Sequence, residues 1–222
     1  MKLRILLGTV ASVVLVGRTA SAQACQGDLA FAGSAHLNGG VGMYDHATSF
    51  SAGASVGHTK GLYGGGQLGM TSWDQNVGNS FDLGGGVGYA MPLAQGSKWQ
   101  MCPGGTLAMG FGPSIDAGAA GTVKMSQQTL NAGVSVGSAM PVSTSFTLIP
   151  FGAAGLGYTR VSASSQGVTA SQSKTYLALG FGAGFQFSPS FVVRPAVNLA
   201  VGADDLVDKT VFSVGVSFAL PK

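Results

Sequence analysis

The stretch 176–187 reads YLALGFGAGFQF. In a β-strand, successive side chains point to opposite faces. One face of this stretch then carries Leu177, Leu179, Phe181, Ala183, Phe185 and Phe187. The other carries Tyr176, Ala178, Gly180, Gly182, Gly184 and Gln186. One side is greasy; the other is small or polar and has no charge. A helical period of 3.6 does not fit. The segment 211–220 repeats the pattern, with Phe212, Val214, Val216, Phe218 and Leu220 alternating with Val211, Ser213, Gly215, Ser217 and Ala219. In 190–201, Phe191, Val193, Pro195, Val197, Leu199 and Val201 alternate with Ser190, Val192, Arg194, Ala196, Asn198 and Ala200.

The alternation continues upstream, less cleanly. It runs through 35–45, 49–58, 61–72, 80–91, 98–112 and 129–140, while 145–159 carries large residues at both parities. Together these are about ten strand candidates, long enough to cross a bilayer as tilted strands of about 9–11 residues. Eight strands is the alternative count, if two weaker candidates merge.

Composition narrows the class. Only 9% of the 222 residues are charged, against about 25% in an ordinary soluble domain. The 37 glycines keep no period of three, which excludes collagen. A 45% apolar content excludes a disordered chain. A soluble β-sandwich would show charge on its outer face, and here the non-greasy face is Gly, Ala, Ser, Gln and Asn. The pattern suits an inverted protein, apolar outward to lipid and small or polar inward. Only a closed barrel satisfies every backbone group of β-strands in lipid. The expected fold is all-β: a closed, antiparallel, up-and-down transmembrane β-barrel over 35–222.

Residues 1–24 read as a signal peptide. Lys2 and Arg4 are its positive start, Ile5 to Val16 its apolar stretch, and cleavage is expected after Ala22 or Ala24. Residues 25–34 are then a periplasmic lead-in. Removing Lys2, Arg4 and Arg18 from the 11 basic residues leaves eight, against 8 acidic ones, all aspartate. The mature chain is formally neutral, so the net charge of +3 makes no case for nucleic acid.

The connections fall into two alternating sets. Segments 58–61, 91–97, 140–145 and 188–190 are short or turn-rich; 45–48, 74–79, 113–128, 160–174 and 203–208 are more variable and polar. Short periplasmic turns and longer outer loops mark transmembrane barrels. Ten strands put both chain ends on the short-turn side.

These residues resemble the small outer-membrane β-barrel proteins of bacteria, the opacity-protein and OmpA-type barrel group. The last strand, Phe212-x-Val214-x-Val216-x-Phe218, looks like that group's C-terminal assembly signal, although Ala219-Leu220-Pro221-Lys222 follow it. The resemblance implies the cell outer membrane, with lipid and lipopolysaccharide around the barrel and the barrel-assembly machinery as a partner. It implies a non-enzymatic structural, adhesive or surface-exposed role, or a very narrow pore. A monomer without a cofactor is expected, and the ligand of the loops is left open.

Several residues stand out singly. Cys25 and Cys102 are the only cysteines and fall near the same rim, so a disulfide is expected in an oxidising compartment; lipidation of Cys25 is the rival reading. Asp82, Arg194, Gln67, Gln100, Gln186 and Asn198 have inward parity, and Asp82 with Arg194 is the expected lumen ion pair. Tyr89 and Trp99 have outward parity at strand ends, the place of an interface girdle. Trp73 and Tyr44 have inward parity. Asp45 and His46 with Asp204 and Asp205 are the one catalytic-looking set, the basis of an alternative reading as a rim hydrolase; no motif surrounds them. His36 and His58 lack metal-ligand spacing.

Overall fold

The computed structural model describes residues 24, 27, 34–58, 61–74, 78–95, 97–116, 122–203 and 206–220. Ten long strands follow one another: β1 Ala35–Met43, β2 Ala47–Gly57, β3 Leu62–Trp73, β4 Gly78–Tyr89 and β5 Trp99–Asp116. Then come β6 Thr122–Ser138, β7 Thr147–Ser165, β8 Val168–Ser188, β9 Phe191–Val201 and β10 Thr210–Ala219. Two-residue pieces, Met91–Pro92 and Met140–Pro141, lie beside β5 and β7. There is no α-helix among the described residues.

Each strand pairs antiparallel with the next, and β10 returns to β1. That seam runs from His36 opposite Ala219 to Met43 opposite Phe212. It closes a ten-stranded barrel with no free edge in the membrane band, as lipid demands of a sheet. Both termini enter at the same end, the end of the β2–β3, β4–β5, β6–β7 and β8–β9 turns.

Burial follows parity. On β8, Tyr176 and Ala178 are buried, whereas Leu177 is exposed and Phe181 shows 54% of its surface. Val87, Leu68, Phe81, Phe111 and Phe212 are likewise exposed on the outside. So continuous an apolar exterior is excluded from water, and lipid is the solvent that fits it. Small residues fill the inner parity because a ten-stranded lumen is narrow.

The turn end carries a chain of rings on the outer face. Phe146 lies 6.3 Å from Phe185 and 5.6 Å from Phe187, Phe187 lies 6.2 Å from Phe191, and Phe191 stacks on Phe218 at 4.8 Å. Tyr89 and Trp99, expected as girdle residues, are exposed.

The connections correct the sequence reading. Segments 113–128 and 160–174, expected as long loops, are mostly strand. β5 runs to Asp116, β6 begins at Thr122, and β7 and β8 are joined by the two-residue turn Gln166–Gly167. Gln166 has φ 49° and Gly167 φ 82°, the type I′ geometry whose twist matches a hairpin and which glycine accepts without strain. The turn-side connections 90–98 and 139–146 are longer than this loop-side one. The parity rule fails here for a physical reason: a hairpin with water on both sides needs no apolar face.

Candidate functional site

The inner parity builds a hydrogen-bonded lumen. Near the turn end, Asn38 donates to the Ser55 hydroxyl at 2.7 Å and Ser217 donates to the Asn38 carbonyl oxygen at 3.0 Å. His36 Nδ1 lies 3.3 Å from the Ser217 hydroxyl and Nε2 lies 3.1 Å from that of Ser34. At mid-height, the Tyr176 hydroxyl donates to Asn131 at 3.4 Å, and Asn131 donates to Thr106 at 3.4 Å. Gln127 donates to Thr129 and Thr159, whose hydroxyls also bond each other. The Tyr176 ring lies directly over Gly157 of β7, and the Tyr63 ring over Gly88 of β4. Bare backbone faces each ring because a side chain there would occupy the same space.

Both ends are filled. At the turn end, Ile149 is fully buried and the Phe151 ring packs on Gly182 and on Gly27. Gly27, which falls in the expected periplasmic lead-in, also abuts Gly184 and lies inside the barrel. At the mouth, the β9–β10 loop folds inward: Ala203, Leu206 and Val207 are buried with Val161, Tyr176, Ala178, Ala200 and Val211. A second cluster joins Ala47, Trp73 and Ala108, and Tyr44 packs against both.

The sequence-picked residues fall as follows. Asp82 and Arg194 both face inward, but the described contacts do not join them. Asp82 is the fifth residue from the loop end of β4, whereas Arg194 is the fourth from the turn end of β9. Both have inward parity; Asp82 lies in the loop-side half of its strand and Arg194 in the turn-side half of its own. Arg194 is 3% exposed and lies opposite Gly215 of β10. Gln67 and Asn198 are buried inward and Gln100 and Gln186 half-buried. Trp73 is inside, and its indole N–H donates to Ser80 at 3.0 Å. Phe212, Val214 and Phe218 are exposed outward and Val216 is half-buried.

Cys102 is buried and is not a free thiol. Cys25, Asp204, Asp205 and the expected signal peptide up to residue 23 lie outside the described residues. Asp45 and His46 are exposed in the tight β1–β2 turn. Among the described residues no group of three His, Cys, Asp or Glu could hold a metal.

One feature was missed from sequence: a raised wall. The β4–β5 pairing stops at Phe81 opposite Phe111, and the β8–β9 pairing stops at Leu177 opposite Val201. Beyond those points β5, β6, β7 and β8 continue together, to Asp116–Thr122, Lys124–Ser164 and Ser165–Val168. The run of β8 from Val168 to Tyr176 adds about 30 Å at roughly 3.3 Å per residue. Its residues Val168 to Ser173 are exposed at both parities. Arg160 donates to the Ser171 hydroxyl at 3.2 Å across the hairpin.

Residues 46–219 match the family model described as the outer membrane protein beta-barrel domain. The chain belongs to this family. It is an outer-membrane β-barrel protein, located in the cell outer membrane. Solved structures of similar architecture include Ail, the attachment invasion locus protein of Yersinia pestis, at 19% identity, covering 85% of this chain and 99% of that one with a TM-score of 0.41. The N-terminal barrel of Pseudomonas aeruginosa OprF matches at 11% identity, 85% and 98% coverage and a TM-score of 0.39. The beta domain of the Bordetella autotransporter Brka matches at 13% identity, 85% and 100% coverage and a TM-score of 0.48. No curated protein matches the chain.

Proposed function

We propose that this outer-membrane barrel is a non-enzymatic surface protein whose recognition element is the raised wall of β5–β8. The supporting observation is the hairpin around Gln166–Gly167. Its β8 arm, Val168 to Ser173, pairs only with β7 and is exposed at both parities, and its β7 arm is braced by β6 up to Lys124–Ser164. Binding function commonly sits on such projections. The wall is rich in Ser, Thr and Gln, with Lys124, Arg160 and Lys174 its basic residues, so it suits a polar, weakly charged partner. A transport role is disfavoured by the fill at both ends: Phe151, Ile149 and Gly27 at one, Leu206, Val207 and Tyr44 at the other. In this reading a signal peptide is removed after Ala22 or Ala24. Lipid surrounds the barrel, with lipopolysaccharide toward the loop end, and the assembly machinery reads Phe212 to Phe218. Cys25 is tied to Cys102.

The hairpin register supplies the test. Deleting 162–165 with 168–171 keeps the Gln166–Gly167 turn and rejoins it to the pair Val161 and Gln172, which already face each other. Cells displaying the full and trimmed proteins are compared for cell–cell aggregation and for attachment to a protein-coated surface. The trimmed protein is expected to assemble normally and to lose attachment. Attachment that survives trimming at equal surface levels would refute the reading.

A further inference from the structure

Asp82 is an inward carboxylate in a space cleared around it. Its cross-strand partners are Gly69 of β3 and Gly110 of β5, and the next inward position on β4 is Gly84. Both carboxylate oxygens lie over Gly69, where a side chain would begin. The partner of Gly69 on its other side is Ser51 of β2, so the carboxylate is turned toward β2. One row nearer the mouth, Ser49, Thr71 and Ser80 face one another across the same three strands. Ser80 accepts the Trp73 indole N–H, and Trp73, opposite Ala47 and packed with it, lies on the mouth side of the group.

The hydroxyls of Ser49, Ser51 and Thr71 have no hydrogen-bond partner within the protein. Thr71 is 0% exposed and Ser49 3%. Orphaned buried hydroxyls are rare, and each calls for a ligand or an ordered water. Asp82 has no ion-pair partner among the described residues, and a carboxyl inside a barrel is neutralised either by a proton or by a counter-charge. The donor set is all oxygen: one carboxylate and three hydroxyls on adjacent strands. Oxygen donors suit hard cations, and divalent ions draw more than one carboxylate or a large retained water shell. A single negative charge matches a single positive one.

We propose that Asp82, Ser51, Thr71 and Ser49 form a lumen site for a monovalent metal cation of the sodium or potassium class. The cation ties β2, β3 and β4 together beneath Trp73. It is a structural site in the lumen and independent of the raised wall.

The test uses the whole barrel refolded in detergent, with its thermal unfolding read by gel mobility. Sodium, potassium and choline chlorides are compared at equal ionic strength. A higher, dose-dependent midpoint in sodium or potassium than in choline is expected. Asp82→Asn should abolish that difference. Thr71→Val, which removes one hydroxyl at constant size, should reduce it and serves if Asp82→Asn fails to fold. Equal midpoints in all three salts would overturn the proposal. So would a cation response that persists in both variants. A response to pH alone would also overturn it, because a protonated carboxyl would then be the neutralising device.

Discussion

The assignment of the outer face to lipid is tested most sharply by two exposed apolar residues on one strand. Phe181 is 54% exposed and Val168 is 73% exposed, both on β8. Judged by exposure alone, each should accept arginine. The structure separates them. Phe181 is paired on both sides, with Val197 of β9 and Gly152 of β7, midway along the part of β8 that lines the barrel. Val168 pairs only with Ser165, at the tip of the raised hairpin. Arginine at the bilayer midplane of a barrel costs about 2–4 kcal/mol, falling to about 0–1 near the interface. A surface change in water is usually within about ±0.5 kcal/mol. Phe181→Arg should therefore lower the folded-to-unfolded ratio by about 30- to 900-fold at 1.36 kcal/mol per tenfold, and Val168→Arg should barely move it. Phe181→Ala controls for the lost ring. Equilibrium folding into lipid vesicles against urea, read by gel mobility, gives both values. Equal and small effects would show that Phe181 does not face lipid, and the barrel's inside and outside would have to be exchanged.

Other outcomes follow from single positions. Gly157→Ala puts a methyl into the Tyr176 ring, displacing a member of the mouth cluster, and should destabilise by about 1–3 kcal/mol; an unchanged urea midpoint would count against the packing described. Trp99 is outside and Trp73 inside, so lipids brominated near the headgroups should quench Trp99 fluorescence in Trp73→Phe protein and leave Trp73 bright in Trp99→Phe protein. Mass spectrometry of a non-reduced digest should find Cys25 linked to Cys102; a diacylglyceryl group on Cys25 would favour the lipidation reading instead.

The barrel was legible because lipid and lumen impose opposite demands on alternate residues. Phe212, Val214 and Phe218 could not sit beside Ser213 and Ser217 in a water-soluble sheet without a second layer to cover them. Ten strands could be counted because each crossing repeats that demand. The raised wall was hidden for the same reason in reverse. Thr169 to Ser173 are exposed at both parities and Ser162 to Ser165 are half-buried at both, so no alternation marks them as strand. Parity told which way Asp82 and Arg194 point, but height along a tilted strand depends on stagger that a sequence does not carry. The inward fold of the β9–β10 loop had only one hint, the apolar pair Leu206 and Val207 in an otherwise polar stretch. The chain of rings was present as Phe146, Phe185, Phe187 and Phe191, spread over three elements that only the closed sheet brings together.

The claim that this barrel works at its surface and not through its lumen is tested most directly by planar-bilayer conductance of the refolded whole protein. With Ala203, Leu206 and Val207 packed into the mouth and Phe151 on Gly27 at the other end, the expected record is a flat baseline in simple salt, with no discrete steps. Stable, reproducible conductance steps that scale with salt concentration would contradict the account and make the protein a pore.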